Sequence, residues 1–317
     1  MKKIIFICLI FLPGIMVGQV TDAEKLLRKQ NNDTVDFWKT GGVTALNFSQ
    51  TSLTNWAAGG QSSLAGSTMI NLFAYYKKGK SRWDNTLDFG YGLLKQADKK
   101  RAWKTDDKIE LLLKYGQKAF DSWYYAILLN FKTQISPGYN YPNDSVKISS
   151  FFAPAYLIGA IGGDYKPNDK FNIFITPVTE RFTFVYDQEL ANSGGFGVDP
   201  AVCDSTGKIL KKGKNLRTEF GGYLRMLYKQ NLMENITFQT KLDLFSNYLK
   251  DAQNVDVNWE TLISLKVNKY ISATVSTQLV YDDNVMIVDG KNPDGTDKTG
   301  PRTQFKEVLG VGFSYNF

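Results

Sequence analysis

The chain ends on a segment that alternates without a break. From Gln304 to Phe317, Phe305, Leu309, Val311, Phe313, Tyr315 and Phe317 share one parity, while Lys306, Gly310, Gly312, Ser314 and Asn316 share the other. A period of two is a β-strand with one apolar face. Two architectures can cover such a face. A soluble sandwich covers it with a second sheet, and a membrane barrel covers it with lipid while the polar parity lines the lumen.

The same alternation recurs upstream. Twelve strands are expected, at about 42–50, 64–77, 82–95, 108–119, 123–135, 150–165, 171–186, 216–228, 236–248, 255–267, 270–281 and 304–317. Most carry a clean apolar parity, such as Trp83, Leu87, Phe89, Tyr91 and Leu93 in the third. The sixth is apolar on both parities. In the seventh, Phe174, Val178, Phe182 and Phe184 compete with Phe171, Ile173 and Ile175, so the facing of both strands stays open. Connections after even strands are tight, as at Lys78 to Ser81 and Phe120 to Ser122. Connections after odd strands are mostly long, as at Gln96 to Asp107 and Asp187 to Asn215. Short turns on one rim and long loops on the other suit a transmembrane barrel and have no rationale in a sandwich. Tyr76, Trp83, Tyr91, Trp123, Tyr228, Tyr248, Trp259, Tyr270 and Tyr281 fall near strand ends, as aromatic girdles at two lipid–water boundaries would. The expected fold is all-β: a single antiparallel transmembrane barrel of about twelve strands, with short periplasmic turns and long extracellular loops.

The first residues fit export. Lys2 and Lys3 precede the apolar run Ile4 to Leu12, which is too short to span a bilayer as a helix, and Gly18 is a small residue at a cleavage position. The expected organisation is a signal peptide at 1–18, a periplasmic lead at 19–41 and a barrel at 42–317. Cys8 leaves with the signal, so Cys203 has no partner for an internal disulfide. The formal charge of +7 falls to +5 without Lys2 and Lys3, and the basic residues are scattered. They read as solvated loops and turns rather than a nucleic-acid surface.

Several separated segments carry a resemblance. Asn47 to Gly60 (NFSQTSLTNWAAGG), Trp123 to Gln134, Ala153 to Tyr156 and Ser246 to Tyr248 resemble a Bacteroidota outer-membrane family known only as domain of unknown function 3078. Tyr281 to Asn284 and the Phe317 ending also match its style. The resemblance implies a Gram-negative outer membrane and brings no activity, substrate or catalytic residue. Phe313, Tyr315 and Phe317 also resemble the C-terminal assembly signal of bacterial outer-membrane barrels. The partners implied are outer-membrane lipids, the barrel assembly machinery during biogenesis, and further outer-membrane proteins; nucleic acid is not among them.

Histidine is absent from the chain. That removes Ser–His and Asp–His catalysis, histidine metal sites and the usual acid–base group near neutral pH. Arg217, Glu219, Arg225, Lys241, Asp243, Glu260 and Lys266 lie on the polar parity of their strands and are candidate lumen charges. Carboxylate pairs there read as ion pairs across strands rather than as a glycosidase. The loop Asp289 to Asp297 fails as a calcium loop because Gly290 stands where the first aspartate is needed, and reads as an Asn-Pro, Asp-Gly turn. No catalytic residue, cofactor or metal is expected.

Two function classes remain. One is a narrow channel or transport barrel for small solutes; the other is a non-conducting barrel serving an outer-membrane assembly or secretion complex. Large inward residues (Arg217, Tyr223, Arg225, Phe245) favour a narrow bore, and small ones (Gly90, Gly92, Ser272, Thr274, Ser276) favour space. Leu53, Thr54, Asn55, Trp56, Gly59 and Gly60, on the first long loop, are a candidate mouth or plug segment, since a loop tryptophan needs a surface to bury against. Circular dichroism in detergent is expected to be strand-dominated, with unheated protein migrating differently from boiled protein on a gel. A helix-dominated spectrum would exclude this architecture.

Overall fold

A computed structural model describes residues 37–53, 61–141, 143–168, 170–266 and 271–316. In chain order the strands are β1 (Phe37–Thr51), β2 (Ser63–Lys78), β3 (Ser81–Gln96), β4 (Trp103–Phe120), β5 (Trp123–Thr133), β6 (Gly138–Tyr139), β7 (Lys147–Ser149), β8 (Ala155–Tyr165) and β9 (Phe171–Phe184). They continue as β10 (Val202–Cys203), β11 (Ile209–Lys211), β12 (Leu216–Met233), β13 (Ile236–Asn247), β14 (Val255–Lys266), β15 (Ile271–Tyr281), β16 (Met286–Lys291), β17 (Asp297–Pro301) and β18 (Gln304–Asn316). The short helix α1 (Gln188–Asn192) lies in the β9–β12 connection. The long strands pair antiparallel in the order β1-β18-β15-β14-β13-β12-β9-β8-β5-β4-β3-β2, and β2 returns to β1. The seam of the barrel is therefore β1 against β18. The hairpins β6–β7, β10–β11 and β16–β17 stand apart from that sheet, within three of the long loops.

Side-chain parity decides which face each residue joins. In β5, Tyr125, Ile127 and Leu129 are exposed on the outer wall, while Tyr124, Ala126 and Leu128 are buried inside. Leu72, Trp83, Leu87, Tyr115, Phe220, Trp259 and Leu265 are outward and exposed as their strands' alternation predicts. Along the short-turn rim the aromatics touch in sequence. Trp38 lies 5.2 Å from Tyr76 and 6.3 Å from Trp83, Trp83 lies 6.5 Å from Tyr115, and Trp123 lies 5.0 Å from Tyr165. On the long-loop side, Phe152 bridges Phe131 and Tyr186 at 5.6 Å each, and Phe220 meets Tyr248 at 6.1 Å.

Several boundaries differ from the sequence reading, and β4 begins at Trp103 rather than 108 while β12 runs on to Met233 rather than 228. β1 begins at Phe37 rather than 42, because Phe37 to Gly41 pair with Phe73 to Lys77 of β2. What reads as a polar lead thus ends in strand. The sixth long strand, β8, begins at Ala155 rather than at 150, since Ser150 to Ala153 close a tight turn on themselves before Pro154. The expected signal peptide and the rest of the expected lead lie outside the described residues.

The structure also settles the two ambiguous facings. In β8, Ala160 and Asp164 are buried inside and Ile161 is exposed outside. In β9 the parity changes partway. Asn172, Phe174 and Thr176 are buried inside; after Pro177 the buried residues are Thr179 and Thr183. A β-bulge causes the change. The β9 register shifts by one residue against β12 between Gly221 and Tyr223, and against β8 between Ile161 and Gly163. Pro177 has no N–H to give a ladder, so a bulge is where it fits. The Thr176 hydroxyl holds the bulge, 2.7 Å from the Ile161 carbonyl oxygen and accepting the Val178 N–H at 3.1 Å. Gly162 opposite is required as well, because a Cβ there would collide with the Ile175 carbonyl. Ile173 and Ile175 before the bulge and Val178, Phe182 and Phe184 after it are therefore outward, while Phe174, from one of the competing sets, points in.

This facing is testable. Ile175→Arg and Val178→Arg, three residues apart, should each cost about 2–4 kcal/mol near the middle of a bilayer, read as loss of the heat-modifiable band. An unbulged strand would place the two positions on opposite faces, so a Val178→Arg protein that assembles normally would contradict the bulge.

Candidate functional site in the barrel lumen

The inner face gathers charges from strands far apart in sequence. Nearest the long loops, Arg181 on β9 donates from Nε to Glu219 Oε2 at 2.7 Å and from Nη2 to Glu219 Oε1 at 2.8 Å. Its Nη2 also reaches Asp256 Oδ2 at 2.6 Å. Arg217 donates to the same Glu219 Oε2 from Nε at 2.9 Å and from Nη2 at 2.7 Å. The Glu219 side chain is only 2% exposed, so this carboxylate is nearly enclosed by two guanidinium groups. The Arg181 guanidinium also lies 4.1 Å from the centre of the Phe245 ring, a cation–π contact.

Midway along the bore a second network forms. Lys241 pairs with Glu260 at 2.8 Å and Lys108 with Glu110 at 2.7 Å. Arg225 stands 3.5 Å from Asp243, which also accepts the Tyr223 hydroxyl at 2.6 Å. Closer to the short turns, Lys114 meets Asp164 at 3.1 Å, and Asn172 donates to the same carboxylate at 2.7 Å.

One wall of the bore is filled. Ala126, Leu128, Ala160, Phe174, Tyr223 and Phe245 form a buried cluster, with Leu112 and Ile158 packed against it. These side chains come from β5, β8, β9, β12 and β13. Along the other wall a cavity of about 760 Å³ remains, lined by residues of β2, β3, β4, β14 and β15 and by the cations Lys132, Arg225 and Lys241. Gly90 and Ser276 are part of its lining, and both lack bulk.

The long loops brace the mouth above it. Lys104 donates to Gln134 Oε1 at 2.8 Å and to the Ser136 carbonyl at 2.9 Å, while Asp107 accepts the Ile135 and Ser136 amides at 2.8 Å each. The β9–β12 connection carries a small core of Val185, Leu190, Ala191 and Val198, joined by Ala153 from the turn before β8. Asp187 caps α1 by accepting the Glu189 and Leu190 amides. Burial pushes the Asp187 carboxyl up, but Lys147 at 2.6 Å and those amides outweigh it and hold the group below its ordinary range. Arg217 reaches out of the lumen to donate to the Phe196 carbonyl at 3.3 Å, tying this loop to the charge network.

Of the charges expected inside, Arg217, Glu219, Arg225, Lys241, Asp243 and Glu260 are on the inner face, and they fall into the two networks described. The Lys266 side chain lies outside the described residues. Of the candidate plug segment only Leu53 is described, its amide donating to Ser62 Oγ at 3.0 Å. Thr54, Asn55, Trp56, Gly59 and Gly60 lie outside the described residues. Phe313 and Tyr315 are in β18 by backbone pairing, and Phe317 lies outside. The sequence reading misses Arg181, because the bulge moves it inward. It also omits Lys108, Glu110 and Lys132, which the polar parity of the fourth and fifth strands would have yielded. The Asp289 to Asp297 segment is a hairpin turn, with the Asn292 amide bonded to the Thr296 carbonyl. Among the described residues no cluster of carboxylate or cysteine side chains is arranged to hold a metal.

Residues 48–139 match the family model described as a protein of unknown function (DUF3078). No curated protein sequence matches the chain. Among solved structures, the chain is similar to an outer membrane channel from Pseudomonas putida F1 at 7% identity and TM-score 0.41, over 90% of this chain and 97% of that one. It is similar to the NanC porin at 11% identity and TM-score 0.37, over 86% and 98%. It is also similar to the translocator domain of the autotransporter NalP from Neisseria meningitidis at 11% and 0.35, over 93% and 92%.

Glu219→Ala would leave two buried guanidinium groups facing each other without their shared acceptor. Breaking a buried pair in this way should cost about 3–5 kcal/mol, measured by urea unfolding of the folded barrel in lipid. A loss under 1 kcal/mol would mean that water, rather than Glu219, satisfies Arg181 and Arg217.

Proposed function

We propose that the protein is a twelve-strand outer-membrane barrel whose lumen is a narrow, charge-lined passage for small solutes. The observation that carries this reading is the cavity of about 760 Å³ along one side of the bore, lined by acidic and basic side chains among apolar ones. An outer wall of exposed Leu, Ile, Phe and Trp suits lipid, and an inner wall of paired charges suits water. The aromatic contacts at both rims suit two lipid–water boundaries. In this reading the tight turns and both termini face the periplasm, the long loops face outward, and the leader directs export. Lipid and the barrel assembly machinery are its partners during biogenesis.

Among the lining residues, Asp84 and Asp88 stand on β3 and Lys132 two strands away on β5, while Arg225 and Lys241 stand across the bore on β12 and β13. A solute crossing there passes between acidic and basic groups. Polar solutes small enough for the remaining half of the lumen are the class this favours.

The filled wall gives a specific reason to keep a second reading. The cluster around Phe174 and Phe245, roofed by the β9–β12 loop, would also suit a non-conducting barrel that serves as an accessory subunit of an outer-membrane assembly. We propose no catalytic activity for either case. Phospholipid, lipopolysaccharide and peptide substrates should all stay intact with purified protein.

Planar-bilayer recording separates the two readings. Discrete low-conductance steps are expected from the purified protein, and Phe174→Ala or Phe245→Ala should enlarge them by opening the filled wall. Silence in both variants, with a stoichiometric membrane partner retained on detergent pull-down, would replace the channel by the accessory reading.

A further inference from the structure

The barrel's seam is not uniform. β1 pairs with β2 over its whole length, from Phe37↔Lys77 to Thr51↔Ser63. β18 pairs with β15 from Val280↔Gln304 to Ile271↔Phe313. Between β1 and β18, however, the ladder holds only Val43↔Asn316, Thr44↔Tyr315, Ala45↔Ser314 and Leu46↔Phe313. Each strand is thus anchored along its far edge. Toward the long loops, Asn47 to Thr51 and Val308 to Gly312 form no ladder with each other among the described residues.

The same register, continued, would oppose Phe48 to Val311, Ser49 to Gly310, Gln50 to Leu309 and Thr51 to Val308. Nothing in the chain length prevents this zipping. The composition makes it weak, because Gly310 and Gly312 lie in that part of β18 and Ser49, Gln50 and Thr51 are polar and exposed. Glycine weakens a strand, and cross-strand side-chain pairs are what stabilise a sheet. Unpaired strand edges are costly in hydrocarbon, so closure is favoured by the backbone and opposed by poor side-chain pairing. Those are the conditions for two states of similar free energy.

The cavity leads to this gap. Phe48 and Ser49 of β1 and Lys306 and Glu307 of β18 line it beside the seam, with Ser276 and Gln278 on the neighbouring β15. Deeper in, its walls include the apolar side chains of Leu112, Leu128, Phe174 and Leu227. Beside them stands Lys132. The nearby Lys108 and Lys241 pair directly with Glu110 and Glu260, whereas Lys132 makes no direct ion pair or hydrogen bond among the described residues and meets those carboxylates only at longer range. An apolar wall with an ammonium outside direct ion-pair contact suits an apolar chain that ends in an anion.

We propose that the upper β1–β18 seam is a lateral portal between the bilayer and the lumen, and that it admits long-chain carboxylates from the membrane. The portal rests on the reading of the chain as a bilayer-spanning barrel, and it adds a sideways route to the axial one.

The test uses Ser49→Cys with Gly310→Cys in the full protein, and Ala45→Cys with Ser314→Cys as the control across the ladder already formed. In lipid nanodiscs, a photoactivatable long-chain fatty acid should label inward residues near Leu112 and Phe174 in the reduced protein. Oxidising the Ser49–Gly310 pair should abolish that labelling and reduction should restore it, whereas oxidising the control pair should change nothing. Lys132→Gln should weaken the fatty acid's competition roughly tenfold, the loss of one charge-assisted contact, and leave the matching fatty alcohol unaffected. Flux of a small sugar through liposomes is measured in parallel. Equal lumen labelling in the oxidised and reduced protein would overturn the portal. So would failure of the Ser49–Gly310 pair to oxidise while the control pair does. Sugar flux with seam-independent labelling would fail the portal alone, and seam-dependent labelling without sugar flux would fail the axial channel alone.

Discussion

Every strand in a sheet presents hydrogen-bonding groups along both edges, and an open sheet leaves two edges unsatisfied. This chain meets that requirement by bringing its first long strand back to its last. Everything else follows from the return. The wall has an outside and an inside, the alternation of each strand sorts its side chains between them, and polar groups from distant segments converge in one lumen. The seam between β1 and β18 is where the requirement is met least completely, with four paired positions against fifteen between β1 and β2.

Inside the wall, two kinds of filling divide the space. Apolar side chains from β5, β8, β9, β12 and β13 pack into a cluster on one side. Ion pairs line the rest, and the acidic members are satisfied by more than one donor. Glu219 takes both Arg181 and Arg217, and Asp164 takes both Lys114 and Asn172. Such shared acceptors fix the side chains that bound the cavity, so the bore keeps a set shape rather than a loose one. The β9–β12 loop joins this arrangement through Arg217, and the mouth and the lumen are thereby coupled mechanically.

The all-β, antiparallel character was legible because apolar alternation is a direct record of strand facing. The outward exposure of Leu72, Trp83, Phe220 and Trp259 follows from parity alone. The seventh long strand was not legible, because parity there depends on a single extra residue at Pro177, and a strand with a bulge carries two phases. The side chain that this phase change brings inward, Arg181, is the hub of one charge network. The inner apolar cluster was also hidden. Phe174 and Leu128 look like any other apolar residues, and only the register shows that they point into the lumen. The pairing of Arg217 with Glu219 sits two residues apart on one strand and could be read from sequence; that of Arg181 with Asp256 spans three strands and could not.

The central claim is that the wall separates lipid from a charged interior. A nitroxide scan along β13, from Ile236 to Ser246, in reconstituted bilayers tests it directly. Even positions should show high collision rates with oxygen dissolved in lipid and odd positions low ones, in a period of two across the whole strand. High accessibility of the even positions to a water-soluble nickel reagent instead would mean that water, not lipid, bathes the outer wall, and would contradict the account.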